Sequence, residues 1–117
     1  MNRIKSLLVF LLLSFLFTYT QAQNLEGARE KWNKLPANEK RALAIYQYTK
    51  EGSLEDKERR DLLLEAIALI PENSTDTLVG HIYYKLGQTN YGLEDYVKSL
   101  ENFNLALQKF KSQKNKF

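Results

Sequence analysis

Two stretches of this chain resemble each other at an offset of 40 residues, and this internal repeat constrains the fold more than any other feature. In each copy an apolar helical pattern runs to a glycine, a short break follows, and a second apolar helical pattern completes the unit. Two antiparallel helices cannot bury their apolar faces alone, so we expect the copies to stack as an α-solenoid. The recurring residues are Leu43 as Tyr83, Tyr46 as Leu86, Thr49 as Thr89, Gly52 as Gly92, Glu55 as Asp95, Leu63 as Phe103, Ala66 as Ala106 and Ile67 as Leu107.

The first 22 residues predict a cleaved signal peptide, and we therefore expect a periplasmic or secreted protein. The alternative is a retained anchor that holds the chain at a membrane. A spanning helix needs about 20 apolar residues, and the apolar core here has about half that number. The pattern consists of a positive start, a short apolar core and small residues at the cleavage positions: Arg3, Lys5, residues 7–17, Thr20 and Ala22.

Composition excludes several classes of site. The chain has no cysteine, so disulfides, thiolate metal sites and a cysteine nucleophile are impossible. Removing Arg3 and Lys5 from the 17 basic residues leaves 15 against 14 acidic residues, a formal charge of +1, which gives no reason to expect a nucleic-acid partner. The lysines in residues 112–117 predict a solubilising basic tail.

Helical periodicity divides the mature chain into a short N-terminal helix with a linker and two helix pairs. The helix and linker occupy residues 23–38, and the pairs occupy residues 39–71 and 75–111. Only two prolines and five glycines interrupt the chain, which favours long helices over many short strands. The sequence predicts an all-α fold.

Cap residues predict where the helices begin and end. Gly52 and Gly92 each end the first helix of a pair, and Pro71 ends the second helix of the first pair. Ser53 with Asp56 three residues later resembles a capping box, so we expect a helix to begin there.

The second pair contains a Leu-Gly step followed by regularly spaced aromatic and small residues: Leu86, Gly87, Tyr91, Tyr96, Ser99, Phe103, Ala106 and Leu107. This pattern resembles the tetratricopeptide repeat (TPR) family, and the resemblance extends more weakly over residues 39–111. In the first pair Ala66 matches the pattern, whereas Gln47 and Arg59 stand where the family has glycine and a small residue. The resemblance implies a short TPR-like α-solenoid that binds a protein or peptide, with no cofactor. The matching residues, which we expect to define the core of the repeat, are Leu86, Gly87, Tyr96, Phe103 and Ala106, with Ser99 and Leu107 between them.

The resemblance also implies a peptide-binding groove on the first helix of each pair. Its residues are aromatic and mixed polar, which suits an extended or helical peptide. Core positions with only the hydroxyls at the surface are the alternative for the tyrosines. The candidate groove residues are Arg41, Tyr48, His81, Tyr84, Gln88 and Tyr91.

Candidate catalytic residues are almost absent from the sequence. His81 is the only histidine, and no Gly-x-Ser-x-Gly motif accompanies it. The acidic residues near Glu55 alternate with Lys57, Arg59 and Arg60, which is typical of a solvated helix face. We therefore expect a non-catalytic adaptor, with a small hydrolase that uses His81 as the less favoured hypothesis.

The last helix has apolar residues that lack a following repeat to cover them. Solenoids usually contain about three repeats, and two are visible here. We expect a homodimer through this helix, with Phe103 internal and Phe110 at the open end. The alternative is that the chain is the sensor portion of a longer TPR-containing two-component signalling protein, which degenerate repeats after an export signal resemble.

Overall fold

This chain is all-α over the residues that its computed structural model describes, as the sequence predicts. The description covers the backbone of residues 2–51 and 53–114, with all side chains there except those of residues 2, 15–23 and 114. These residues form five helices and no strand. The chain divides into two compact units, Met1–Lys34 and Leu35–Phe117. Pro36 lies just after the division, where a proline stops a helix from continuing.

The first unit is a single helix, α1 (Asn2–Asn33). The predicted cleavage position at Ala22 and the predicted short helix both fall within α1, although the Ala22 side chain lies outside the described residues. This continuity follows from the sequence, since no glycine precedes Gly27 and no proline precedes Pro36. Apolar side chains near the start of α1 are mostly exposed, for example Phe10 at 68%. None of the described helices is sufficiently long and apolar to cross a membrane.

The second unit contains four helices, and each packs against the next along the chain. They are α2 (Glu39–Thr49), α3 (Asp56–Ala68), α4 (Thr77–Gly92) and α5 (Tyr96–Lys114). The core between them consists of small and aliphatic side chains, because Ala66 and Ala106 allow the larger residues of neighbouring helices to approach closely. Its buried members include Ala42, Ile45, Leu62, Leu63, Ala66, Val79, Ile82, Leu86 and Ala106.

Helix α3 begins later than the predicted capping box. Its N-cap is Glu55, whose side chain makes no capping hydrogen bond, and Ser53 lies in the turn before it. The Arg59 guanidinium explains the difference. It donates hydrogen bonds to the carbonyl oxygens of Thr49 (3.0 Å) and Leu54 (3.1 Å), so a side chain from within α3 holds the turn.

Helix α4 begins at a side-chain cap and is held at that end by α5. The Asp76 carboxylate accepts a hydrogen bond from the Leu78 N–H at 2.9 Å, which satisfies a free donor of the first turn. Lys109 Nζ donates to the Glu72 carbonyl, and Gln113 Nε2 donates to the Thr75 carbonyl, both at 2.9 Å. Helix α5 therefore continues into the predicted basic tail, of which residues 115–117 lie outside the described part.

Helix α4 ends in a Schellman motif. The Asp95 N–H donates to the Asn90 carbonyl at 2.9 Å, and the Glu94 N–H donates to the Tyr91 carbonyl at 3.0 Å. Glu94 adopts a left-handed conformation (φ 63°), which favours glycine in this motif. Gly92 is the last residue of α4, as predicted, but its φ is not positive. The chain therefore changes direction after α4 at Glu94, two residues after Gly92. For the other pair, Gly52 lies outside the described residues.

Candidate functional site

Two glycines on α4 receive two phenylalanine rings from α5. A Cβ atom on Gly80 would lie 2.6 Å from the Phe110 ring, and one on Gly87 would lie 2.6 Å from the Phe103 ring. The two glycines are seven residues apart, and so are the two phenylalanines. Because seven residues make two helical turns, the contacts repeat along the same side of each helix. The two rings therefore fill the space that larger side chains at Gly80 and Gly87 would occupy, and the two helices can pack closely.

The position of Phe110 corrects the prediction that it lies at the open end. Its ring packs into the gap at Gly80 and meets the His81 ring edge-on, with centroids 5.2 Å apart. The Gly80 contact could have been inferred from the sequence, because Gly80 precedes Gly87 by the same seven residues that separate Phe103 from Phe110. Phe110 therefore stabilises the pair from inside.

Most of the predicted repeat-defining residues lie between helices. Leu86 is 1% exposed, Ala66 is fully buried and Gly87 is buried. The buried Ser99 hydroxyl donates to the Gly87 carbonyl at 2.7 Å. Tyr96 differs from the prediction, because it is 57% exposed. It is the first residue of α5, and its position on the helix turns its ring away from the interior.

The exposed side of the second pair forms an apolar surface, which we call the α4–α5 face. The Tyr91 and Tyr96 rings meet edge-on with centroids 5.3 Å apart, and Tyr84 lies 5.6 Å from the ring of Phe103. Each member of the face is about half exposed or more. Its members are Tyr84 and Tyr91 of α4 with Tyr96, Val97, Leu100 and Leu107 of α5.

Four of the six predicted groove residues share the exposed side of α4. They are His81, Tyr84, Gln88 and Tyr91, which are spaced by three or four residues and are all exposed. Tyr84 and Tyr91 contact α5 aromatic rings and belong to the α4–α5 face. The predicted groove is confined to the first helix of each pair. Tyr84 and Tyr91 instead belong to a surface that α4 shares with α5.

The other two predicted groove residues make contacts near the ends of α2. The Arg41 guanidinium donates to the Leu35 carbonyl, at 2.7 Å from Nη2 and 3.3 Å from Nε. Tyr48 lies near the acidic start of α3: burial raises the pKa of its hydroxyl, and the negative charges of Glu51 and Glu58 raise that pKa further. Arg41 thus supports the start of α2, and Tyr48 is placed beside acidic groups.

A separate polar cleft lies between α3 and α5. It has a volume of about 480 Å³ and carries charges of both signs, which include Arg60, Asp61 and Lys98. Asn90 also lines it and is 3% exposed, and its Oδ1 atom accepts no hydrogen bond from any described residue. The sequence gives no sign of this cleft, because its residues come from three helices whose packing no local pattern reveals.

The described part of the chain contains no candidate metal site. No group of three or more histidine, aspartate or glutamate side chains there is arranged to hold a metal ion. His81 lies exposed against Phe110.

Comparisons with known proteins do not assign the chain to a family. No family model matches its sequence, and no curated protein or solved structure is significantly similar to it. Function must therefore be inferred from the surfaces of this molecule.

Proposed function

We propose that this chain is a non-catalytic, TPR-like helical repeat protein that binds another protein through its α4–α5 face. The observation that carries the proposal is the apolar exposure of that face: Tyr91 and Leu100 are both 63% exposed and Val97 is 70% exposed. Contiguous apolar surface of this kind marks interaction sites in soluble proteins. Three tyrosines among its members fit a protein interface, where aromatic residues are enriched.

The packing of the two helix pairs supports the TPR-like part of the proposal. Each pair has a small residue at the same point of its second helix, Ala66 in α3 and Ala106 in α5, and both are buried. Gly87 and Ser99 connect α4 to α5 through a ring contact and a hydrogen bond. A helix pair of this kind is covered on its exposed side only when another element packs there, and no described helix covers the α4–α5 face.

Export forms the second part of the proposal. The apolar residues between positions 4 and 13, which precede the predicted cleavage position, are exposed, with Leu7 at 63% and Phe10 at 68%. A segment that contributes so little to a buried core can be removed without exposing one. N-terminal sequencing of the exported protein is expected to begin near Gln23, and an intact Met1 on that protein would contradict cleavage.

The binding proposal is tested with two matched variants of the full chain. Leu100→Lys puts a charge on the α4–α5 face, and Leu64→Lys puts the same charge on α3 at a residue that is 50% exposed. We expect Leu100→Lys to abolish recovery of cross-linked protein partners, whereas Leu64→Lys retains them. Equal recovery from the two variants would contradict binding at this face.

The rival hypothesis of a hydrolase predicts a different outcome. It requires an activity that His81→Ala removes while partner recovery stays unchanged. The edge-on packing of His81 against Phe110 favours a supporting role for this ring on the helix surface.

A further inference from the structure

The exposed stripe of α5 is complementary to itself. Tyr96, Leu100, Asn104, Leu107 and Lys111 follow one another at spacings of three or four residues, so they lie along one side of the helix. All five are exposed. We propose that a second copy of this chain covers the stripe, with the two α5 helices antiparallel. This inference rests on the proposed function, because it names the partner of the α4–α5 face.

The order of residues along the stripe favours a copy of the same helix as the partner. An antiparallel pair centred beside Asn104 places Leu100 opposite Leu107 of the second copy, so that aliphatic side chains meet. The same register places Tyr96 opposite Lys111 of the second copy, where an ammonium group can lie over an aromatic ring. Two-fold symmetry makes each contact twice.

Charge fixes the antiparallel orientation. Glu94 and Asp95 immediately precede α5, and Lys109 and Lys111 lie near its end. Antiparallel helices bring the acidic end of each copy to the basic end of the other, and their dipoles oppose one another favourably. A parallel pair would bring like charges together.

The size of the face is sufficient for a dimer. Its three tyrosines and three aliphatic residues are each about half exposed or more, with values from 48% to 70%. Because a whole aromatic side chain covers roughly 150–250 Å², the exposed parts of the three tyrosines present about 340 Å². The three aliphatic residues add to this area, toward the ~800 Å² that each partner contributes to a standard interface.

Position-specific cross-linking of the full chain tests the proposal. The natural chain has no cysteine, so Asn104→Cys introduces a single thiol that can carry a benzophenone maleimide. Lys98→Cys is the matched control, because Lys98 is an exposed residue on a different side of α5, with 65% of its side chain exposed. Each labelled protein is irradiated in an extract of the cells that express it, and the adducts are identified by peptide mass spectrometry.

We expect the Asn104→Cys protein to give an adduct of twice the chain mass, with the cross-link between α5 peptides, and the Lys98→Cys protein to give none. An adduct only with a different protein would overturn self-association but would leave the proposed protein-binding function in place. The absence of any adduct at Asn104→Cys would overturn both.

A second substitution separates loss of pairing from loss of folding. Leu100→Lys, added to Asn104→Cys, puts two charges into the proposed dimer, and we expect the adduct to fall about tenfold or more. Leu100 is exposed, so the helical circular dichroism and the melting temperature of the variant should match those of its parent. An undiminished adduct would contradict the proposed register.

Discussion

The two helix pairs correspond to each other in sequence at an offset of 40 residues, but their connections are stabilised differently. In α2–α3, the Arg59 guanidinium donates to three carbonyls of the turn, those of Thr49, Glu51 and Leu54, and pairs with Asp56 at 2.8 Å. In α4–α5, the Schellman motif holds the turn with backbone hydrogen bonds, and the Asp95 carboxylate accepts one further hydrogen bond from the Lys98 N–H at 3.2 Å. The residue equivalent to Arg59 is Ser99, whose hydroxyl needs to reach only the Gly87 carbonyl.

The close approach of α4 and α5 at the α4 glycines explains why a short side chain is enough in the second pair. The glycines of α4 let the rings of α5 approach its backbone, so a short serine completes the contact. The residue of α2 equivalent to Gly87 is Gln47, and there the long arginine connects α3 to the end of α2. The difference between Arg59 and Ser99 at corresponding positions thus has a physical explanation in the turn that Arg59 holds.

The largest expected effect removes the close approach in the second pair. A Cβ atom added at Gly87 would lie 2.6 Å from the Phe103 ring. Because Gly87→Leu adds a whole side chain there, we expect the free energy of unfolding to fall by about 3 kcal/mol. Gln47→Leu is the matched control at the equivalent exposed residue of α2, with an expected change within about 0.5 kcal/mol. Urea denaturation measures both, and equal midpoints would show that the ring contact does not hold the pair.

A smaller loss is expected when the first turn loses its arginine. Arg59→Met keeps most of the apolar stem but removes every donor, which leaves three carbonyls without this partner, and we expect a loss of about 2 kcal/mol. Ser99→Ala, the equivalent change in the second pair, removes one hydrogen bond and should cost about 1 kcal/mol. Lys57→Met, at an exposed residue, serves as the control in the same denaturation series. A larger loss from Ser99→Ala than from Arg59→Met would reverse the comparison.

The second turn offers a gain in stability. Glu94→Gly relieves a left-handed conformation that glycine adopts freely, and we expect the free energy of unfolding to rise by roughly 0.5–1 kcal/mol. Leu54→Gly, at the equivalent residue of the first turn, should destabilise the chain. A melting temperature that rises for Glu94→Gly and falls for Leu54→Gly would confirm the difference between the turns. A fall in the melting temperatures of both variants would contradict it.

The smallest expected effect is a loss of stability at alkaline pH, which arises from Tyr48 in the first pair. Burial, and then Glu51 and Glu58, raise the pKa of Tyr48 above its ordinary value of 10.0, so the unfolded chain loses this proton first as the pH rises. This contribution to stability is complete below pH 10.0 and is lost as the pH rises through the raised value. Tyr48→Phe should weaken the alkaline loss in denaturation midpoints. An alkaline profile of this variant identical to that of the natural chain would contradict the assignment.

The sequence by itself determined the helical class and the approximate positions of the four helices of the second unit. Apolar periodicity, Pro36, Pro71 and the cap-rich residues before α4 are local signals, and they act within a few residues of where they occur. The close contact at Gly87 was also predictable, because a glycine within an amphipathic helix indicates that another helix approaches closely.

Only the tertiary structure decided which residues are exposed and how the turns are held. Phe103 and Phe110 share an apolar pattern with Leu100 and Leu107, but the gaps at the α4 glycines admit the phenylalanine rings and leave the leucines outside. Arg59 acts on carbonyls up to ten residues away, and Asn90 is buried at a junction of three helices. These outcomes depend on the space and the hydrogen-bond partners that neighbouring helices provide, which the order of residues along one helix does not specify.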